Sequence, residues 1–142
     1  MFGSAYSKAT SAEKVKYGCV NTSGDVGGVA VAHAYGDCYL LLKTSVRSRT
    51  TFCNADSGGF NAGTHRIGTC EHYAHVMELY ADAELKAVLD VGSGKKRHRT
   101  SSKGTASYKE IQIHGPVALA EHVEALVSAS LCVTFCACAS NI

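Results

Sequence analysis

The stretch Tyr108-Lys109-Glu110-Ile111-Gln112-Ile113-His114 decides the fold. Tyr, Glu, Gln and His occupy every second position, and Ile111 and Ile113 stand between them. Alternation over this length predicts a β-strand with two different faces. Gly115-Pro116 follows at once, and this dipeptide is typical of a turn that ends a strand.

Other strands are predicted before this one. Three runs of apolar or β-branched residues are assigned as strands, and these are Val29–Ala34, Asp37–Thr44 and Val46–Cys53. The run Tyr39-Leu40-Leu41-Leu42 predicts a strand buried on both faces, and Thr50-Thr51-Phe52 favours β structure. The segment Asn54–Gly68 is rich in Gly, Ser, Asn and Asp, so it is predicted to be a loop.

Two helices are predicted from apolar residues at helical spacing. The longer is Thr69–Leu89, with Thr69 as its N-cap, and the second is the amphipathic segment Leu119–Val127. Leu131–Ala139 is predicted as a last strand. Strands before and after one substantial helix predict an α+β fold with a mixed or antiparallel sheet. Residues 1–142 are expected to form a single domain, either complete or the C-terminal part of a longer one.

The composition is that of a globular chain. Of its 142 residues, 46% are hydrophobic and 18% are charged, which excludes an intrinsically disordered protein. No apolar run approaches the ~18–20 residues that span a bilayer, and no secretory signal is recognised. These observations predict a cytoplasmic protein without a membrane segment. The seven cysteines are odd in number and fit no disulfide framework, so reduced thiols are expected.

The positive charge is concentrated in one segment. Lys95-Lys96-Arg97-His98-Arg99 follows Gly92-Ser93-Gly94, which predicts a basic loop. Two interpretations stay open for this loop, a solvated surface segment or a patch that contacts phosphate. The net charge of +2 does not indicate a nucleic-acid-binding protein.

The start of the chain carries a resemblance to a known family. Met1-Phe2-Gly3-Ser4-Ala5-Tyr6 resembles the Met-Phe-Gly-x-Gly-Ile-Tyr stretch of the poly(ADP-ribose) polymerase type of ADP-ribosyltransferase. Tyr17 follows Tyr6 at the separation found in that family, whose two tyrosines line the nicotinamide pocket. Glu110 and the strand after it resemble the family's catalytic glutamate segment.

This resemblance implies a fold, a reaction and a site. The fold would be ADP-ribosyltransferase-like but without its first strand, because the chain starts at the tyrosine segment. NAD would be the substrate, with Glu110 as the catalytic carboxylate and no metal required. Tyr6 and Tyr17 would bind the nicotinamide, together with Ala5 and with Lys14, which stands where the family has a serine. The acceptor of ADP-ribose is unspecified, and NAD hydrolysis is an equal outcome.

A second resemblance covers more of the chain. An uncharacterised microbial family, the domain of unknown function 3626, carries Tyr-Gly, Arg-Thr-Thr-Phe and Glu-x-Gln-Val-His-Gly-Pro. The similar segments here are Tyr17-Gly18, Arg49-Thr50-Thr51-Phe52 and Glu110 to Pro116.

Each candidate residue also has a plainer interpretation. Tyr6 is also consistent with a surface or packing aromatic, and Glu110 with the solvent face of a strand. His114 is predicted to be structural or exposed. Arg49 is predicted either to form a salt bridge or to bind a phosphate. If Glu110 is not catalytic, the chain is an inactive relative that binds a partner through the same cleft or the basic loop.

A zinc-stabilised structural domain is a third alternative. Cys70-x-His72-x-x-His75 places two histidines on one helical face, and Cys132-x-x-x-Cys136-x-Cys138 offers further thiolates. No nucleophile motif surrounds Asp56-Ser57, so a Ser-His-Asp triad is not indicated.

Overall fold

Two antiparallel sheets organise the protein, as seen in a computed structural model that describes residues 2, 4–25, 27–36, 38–95 and 108–128. Its strands are β1 (Lys16–Cys19), β2 (Cys38–Leu42), β3 (Thr50–Cys53), β4 (Ile67–Thr69), β5 (Glu110–Ile113) and β6 (Val123–Ser128). Its α-helices are α1 (Ala74–Met77), α2 (Asp82–Gly92) and α3 (Leu119–His122). Short 3-10 helices cover Ala30–Tyr35, Thr44–Arg49 and Ser57–Gly59.

Strand β5 is an interior strand of the larger sheet. The strand order is β1-β5-β3-β4, with every neighbouring pair antiparallel, and β2 pairs with β6 in the smaller sheet. Gln112 of β5 lies opposite Tyr17 on one side and Thr51 on the other. The predicted α+β class and the strand within Tyr108–His114 are therefore confirmed.

The buried side chains come from both sheets and from the helices. Among the described residues, the buried apolar ones are Val29, Val46, Cys53, Val76, Tyr80, Ala87 and Ile113. Gly68 lets helix α1 pack closely on β4, because a Cβ there would lie 2.8 Å from a methyl group of Val76 and 3.0 Å from the carbonyl oxygen of His72. Real Cβ atoms essentially never approach other atoms as closely as 2.8 Å.

The predicted single helix Thr69–Leu89 is wrong. Thr69 ends strand β4, helix α1 is one turn, and an interruption precedes α2, whose N-cap Ala81 has an extended backbone (φ −65°, ψ 151°). The interruption accompanies the burial of Tyr80, whose ring lies 4.3 Å from the ammonium group of Lys109. Tertiary packing has overridden the helical spacing here.

The predicted helix Leu119–Val127 is also wrong beyond its first turn. Helix α3 ends at His122, and Val123–Ser128 is strand β6, in register with β2 from Cys38↔Ser128 to Leu41↔Ala125 and, after a bulge, with Leu42 opposite Val123. Pairing with β6 satisfies backbone hydrogen-bonding groups of β2. Helical spacing within residues 119–127 gives no sign of this distant partner.

Three strand predictions also need correction. The segment predicted as Val29–Ala34 is instead a 3-10 helix from Ala30 to Tyr35, none of whose residues is buried. Val29, just before this helix, is buried. Val46–Cys53 divides into a 3-10 helix that ends at Arg49 and strand β3. Strand β2 lies within the predicted Asp37–Thr44 but is not buried on both faces, since Leu40 and Leu41 are 45% and 46% exposed.

The remaining predictions are resolved in part. Asn54–Gly68 is largely loop, although it contains the short 3-10 helix Ser57–Gly59 and the start of β4. The predicted strand Leu131–Ala139 lies outside the described residues. The four described cysteines, Cys19, Cys38, Cys53 and Cys70, are free thiols, as expected. Within the described ranges, no helix has the length and apolar character required to cross a bilayer.

Candidate functional site

A cleft of about 860 Å³ is lined by residues of both sheets. Strands β1 and β2 contribute along their whole lengths, and β5 contributes Glu110, Ile111 and Ile113. Four tyrosines are among the lining residues, namely Tyr17, Tyr35, Tyr39 and Tyr108. The walls are therefore mainly apolar and aromatic, which is typical of a small-molecule site with few polar groups.

Glu110 is a buried carboxylate at this cleft. It is 5% exposed, and it accepts hydrogen bonds from the Ser57 hydroxyl and, at 2.7 Å, from Nε2 of Gln112. A longer bond of 3.4 Å runs from the Ser57 backbone N–H to Oε2. In the part of the chain that the structure describes, no basic side chain forms an ion pair with Glu110. Within the described ranges, the carboxylate is held by neutral hydrogen-bond donors.

The segment Asp56-Ser57-Gly58 aims Ser57 at this carboxylate. Asp56 caps the 3-10 helix, and its Oδ1 accepts the backbone N–H of Gly58 at 2.7 Å. That cap fixes the turn in which both the hydroxyl and the N–H of Ser57 face Glu110. The sequence analysis missed Ser57 because its partner lies 53 positions away; the only local signal is the turn-forming Asp-Ser-Gly.

A row of polar side chains continues from Glu110 along the sheet. Oγ1 of Thr51 lies 2.9 Å from Oε1 of Gln112 and 3.0 Å from Nε2 of His114. Nδ1 of His114 lies 2.7 Å from the hydroxyl oxygen of Tyr6. Alternate residues of a strand share a face, so positions 110, 112 and 114 line up, with Thr51 beside them on β3.

The structure brings together two of the predicted site residues. Tyr17 and Glu110 both line the cleft, and Tyr17 is 56% exposed. Tyr17 lies opposite Gln112, so it is the diagonal neighbour of Glu110, a relation that separates Cβ atoms by about 7–8 Å.

The other three predicted cofactor-binding residues lie elsewhere. Tyr6 is bonded to His114 and is absent from the described lining of the cleft. Ala5 and Lys14 are exposed, and the carbonyl oxygen of Lys14 accepts a bond of 2.7 Å from Nζ of Lys16. Their contact with a cofactor stays a prediction.

Arg49 donates to backbone carbonyl oxygens, and no carboxylate in the described ranges forms an ion pair with it. Its guanidinium group donates to the carbonyl oxygens of His114 and, at 2.7 Å, of Pro116. Gly115 between them has φ +79°, a backbone conformation that favours glycine. Lys16 also donates to the carbonyl oxygen of Gly115, at 3.2 Å. The turn after β5 is therefore held by strand β1 on one side and by the end of the 3-10 helix that precedes β3 on the other.

Burial changes the acidity of two groups near Glu110. It raises the pKa of Tyr108 to about 12, and the Glu110 carboxylate adds to the effect, so Tyr108 presents a neutral hydroxyl to the cleft. Burial also raises the pKa of the Cys53 thiol, against a smaller opposing effect of its hydrogen bond with Gln112. Cys53 is thus a protonated thiol at neutral pH.

The predicted zinc ligands are not brought together in the described structure. No group of three or more His, Cys, Asp or Glu side chains there has the geometry to hold a metal ion. Nε2 of His75 lies 2.9 Å from the carbonyl oxygen of Ile67. The thiolates predicted at Cys132, Cys136 and Cys138 lie outside the described residues, as does the basic loop beyond Lys95.

A comparison with protein-family models finds a family that matches more than half of the chain. The model described as "Protein of unknown function (DUF3626)" matches residues 1–87. The matched part includes Tyr17, Thr51 and Ser57 but ends before Glu110. The curated proteins contain no match to this chain.

Proposed function

We propose that this chain, which belongs to the DUF3626 family of proteins of unknown function, cleaves NAD and transfers ADP-ribose to an acceptor or to water. The observation that carries the proposal is Glu110, a buried carboxylate that is held by three donors and has no basic partner among the described residues. An ADP-ribosyltransferase-like fold is part of the same proposal.

The electrostatics of Glu110 suit this reaction. Cleavage of the nicotinamide–ribose bond builds positive charge on the ribose, and a fixed carboxylate stabilises that charge most strongly where water is excluded. Glu110 lies on the interior strand β5, so its position is set by the sheet on both sides. Among the described residues, its Oε2 receives only the long bond from Ser57, which leaves acceptor capacity for a ribose hydroxyl.

The aromatic lining supports recognition of the nicotinamide. The exposed ring of Tyr17 offers a face on which a pyridinium stacks and is attracted by the cation–π interaction. The neutral hydroxyl of Tyr108 is a hydrogen-bond donor on the same cleft. In this proposal Tyr17 is one wall of the nicotinamide site, and Tyr6, Ala5 and Lys14 stay predicted contacts.

An inactive relative that binds a ligand in this cleft is the alternative, and Lys16 favours it. Lys16 is the one lysine or arginine among the described lining residues, and its Nζ already donates to the carbonyl oxygens of Ala12, Lys14 and Gly115. A pyrophosphate would therefore find little basic charge on the described walls, whereas an uncharged or cationic ligand needs none.

Release of nicotinamide from NAD by the purified chain tests the proposal. Glu110→Gln keeps the size of the side chain and removes its charge, so we expect turnover to fall by at least about 100-fold. Glu124→Gln, an exposed position on β6, is the matched control and is expected to keep wild-type turnover.

Three outcomes would count against the enzyme. Equal turnover in Glu110→Gln and in the wild type would remove Glu110 from the reaction. Binding of NAD without any release of nicotinamide would favour the inactive relative, and the absence of both would refute the NAD site itself.

A further inference from the structure

With Glu110 ionised and His114 neutral, the hydrogens in the row from Glu110 to Tyr6 have one consistent placement, which can be worked out from the Glu110 end. An ionised carboxylate only accepts hydrogen bonds, so Gln112 turns its amide nitrogen toward Glu110, 2.7 Å away. The carbonyl oxygen of Gln112 then faces Thr51 at 2.9 Å. The single hydroxyl hydrogen of Thr51 is donated to that oxygen.

The next two bonds follow from this assignment. Because Thr51 has used its hydrogen, its oxygen accepts from His114, which requires a hydrogen on Nε2. A neutral imidazole carries one hydrogen, so Nδ1 is bare and accepts the hydroxyl hydrogen of Tyr6. The rings of Tyr6 and His114 are inclined by 20° with centroids 6.4 Å apart, which suits an in-plane hydrogen bond. Every donor in the row points toward Glu110.

The surroundings of the row separate it from the cleft. Glu110 lines the cleft, whereas Thr51, Gln112 and His114 are absent from its described lining, and Gln112 is fully buried. At the far end, Phe2 packs edge-on against His114, with ring centroids 5.5 Å apart and planes inclined by 85°. Thr51, Gln112 and His114 therefore affect a ligand in the cleft only through Glu110.

We propose that Tyr6, His114, Thr51 and Gln112 are positioning residues, which form a one-way hydrogen-bond chain that holds the Glu110 carboxylate in one orientation. Hydrogen bonds aligned in this way polarise one another, so a donor at the far end strengthens the bond at the near end. No proton moves along the chain in this account. The effect of this hydrogen-bond chain on catalysis rests on the proposed function. The placement of the hydrogens is independent of that function.

The hydrogen placement is tested by NMR on protein labelled with ¹⁵N-histidine. Long-range ¹H–¹⁵N correlations distinguish the two neutral tautomers, and the signal that disappears in His114→Gln identifies the residue. We expect His114 to carry its hydrogen on Nε2. A hydrogen on Nδ1 would mean that Tyr6 does not donate to the ring and would overturn the one-way chain.

The positioning role is tested by breaking the chain at Thr51. Thr51→Val keeps the shape of the side chain and removes the hydroxyl, whereas Thr51→Ser keeps the hydroxyl. For Thr51→Val we expect shifted side-chain amide signals of Gln112 and a kcat for nicotinamide release lowered by about 10-fold. The KM for NAD should be unchanged, and Thr51→Ser should restore both the kcat and the amide signals.

The outcomes separate this inference from the proposed function. A wild-type kcat in Thr51→Val, or a change in KM alone, would overturn the positioning role. If the wild type releases no nicotinamide, the proposed function fails. The His114 tautomer and the Gln112 amide signals still show whether the one-way hydrogen-bond chain exists. Should Thr51→Val fail to fold, His114→Phe takes its place, because it keeps an aromatic ring and removes the Nε2 donor to Thr51.

Discussion

At the scale of single residues, the tyrosines differ in burial, and burial raises the pKa of a tyrosine hydroxyl. Tyr80 is 8% exposed, and burial, with a smaller effect of the Glu84 carboxylate, raises its pKa to about 12. Tyr35 is 80% exposed. A phenol whose pKa is raised in the folded state stabilises the fold fully below the unfolded pKa of about 10 and loses that contribution as the pH rises through 12.

We therefore predict that Tyr80→Phe weakens the alkaline loss of stability. Two pKa units correspond to about 2–3 kcal/mol. Between pH 10 and 12, the free energy of unfolding of the wild type should therefore fall by about that amount more than that of Tyr80→Phe. Urea unfolding at several pH values in this range measures the difference. Tyr35→Phe is the control and should follow the wild-type profile; equal profiles for Tyr80→Phe and the wild type would contradict the prediction.

At the scale of elements, an ion pair joins helix α2 to Lys109, the residue before strand β5. Nζ of Lys109 lies 3.2 Å from a carboxylate oxygen of Glu84, and the side chains are 5% and 16% exposed. Glu84 also accepts the backbone N–H of Ala81 at 3.0 Å, which caps the helix. Lys109 and Glu110 are neighbours in sequence, so the pair anchors the start of the strand that carries the carboxylate of the site.

Removing one member of this pair should cost far more than removing an exposed charge. Glu84→Ala leaves Lys109 buried without its carboxylate, and we expect the free energy of unfolding to fall by about 3–5 kcal/mol. Glu78→Ala, at an exposed position before the helix, should change it by less than about 0.5 kcal/mol. Denaturant unfolding of the three proteins measures this, and similar midpoints for the two variants would show that the pair is dispensable.

At the scale of the whole molecule, the cleft unites the two sheets. Strands β1 and β2 belong to different sheets, yet both line the cleft along their whole lengths. A ligand there binds only the folded arrangement of both sheets, so it should stabilise the protein against heating.

We predict that NAD or nicotinamide raises the melting temperature and that Tyr17→Ala removes this effect. A ligand at ~100 times its dissociation constant adds about 2.7 kcal/mol, which corresponds to a shift of several degrees for a chain of this size. Tyr73→Ala, an exposed tyrosine outside the described lining of the cleft, is the matched control. An equal shift in Tyr17→Ala and the wild type would place the ligand elsewhere.

What the sequence by itself determined is local. The alternation of Tyr108 to His114 predicted strand β5, because side chains on a strand must alternate between its faces. The α+β class followed from the order of the segments. The free thiols of the four described cysteines followed from the number and spacing of the cysteines. Glu110 and Tyr17 were named from motifs, and the structure places both on one cleft.

Only the tertiary structure decided how the remaining segments fold and what surrounds Glu110. Residues 123–128 have helical spacing but form β6, because β2 offers a backbone partner. The residues that contact the Glu110 row are distant in sequence. Ser57 lies 53 positions before Glu110, and Tyr6 lies 108 positions before His114. Local periodicity carries no information on such pairs, since they depend on strand order and register, which are set only when the whole chain packs.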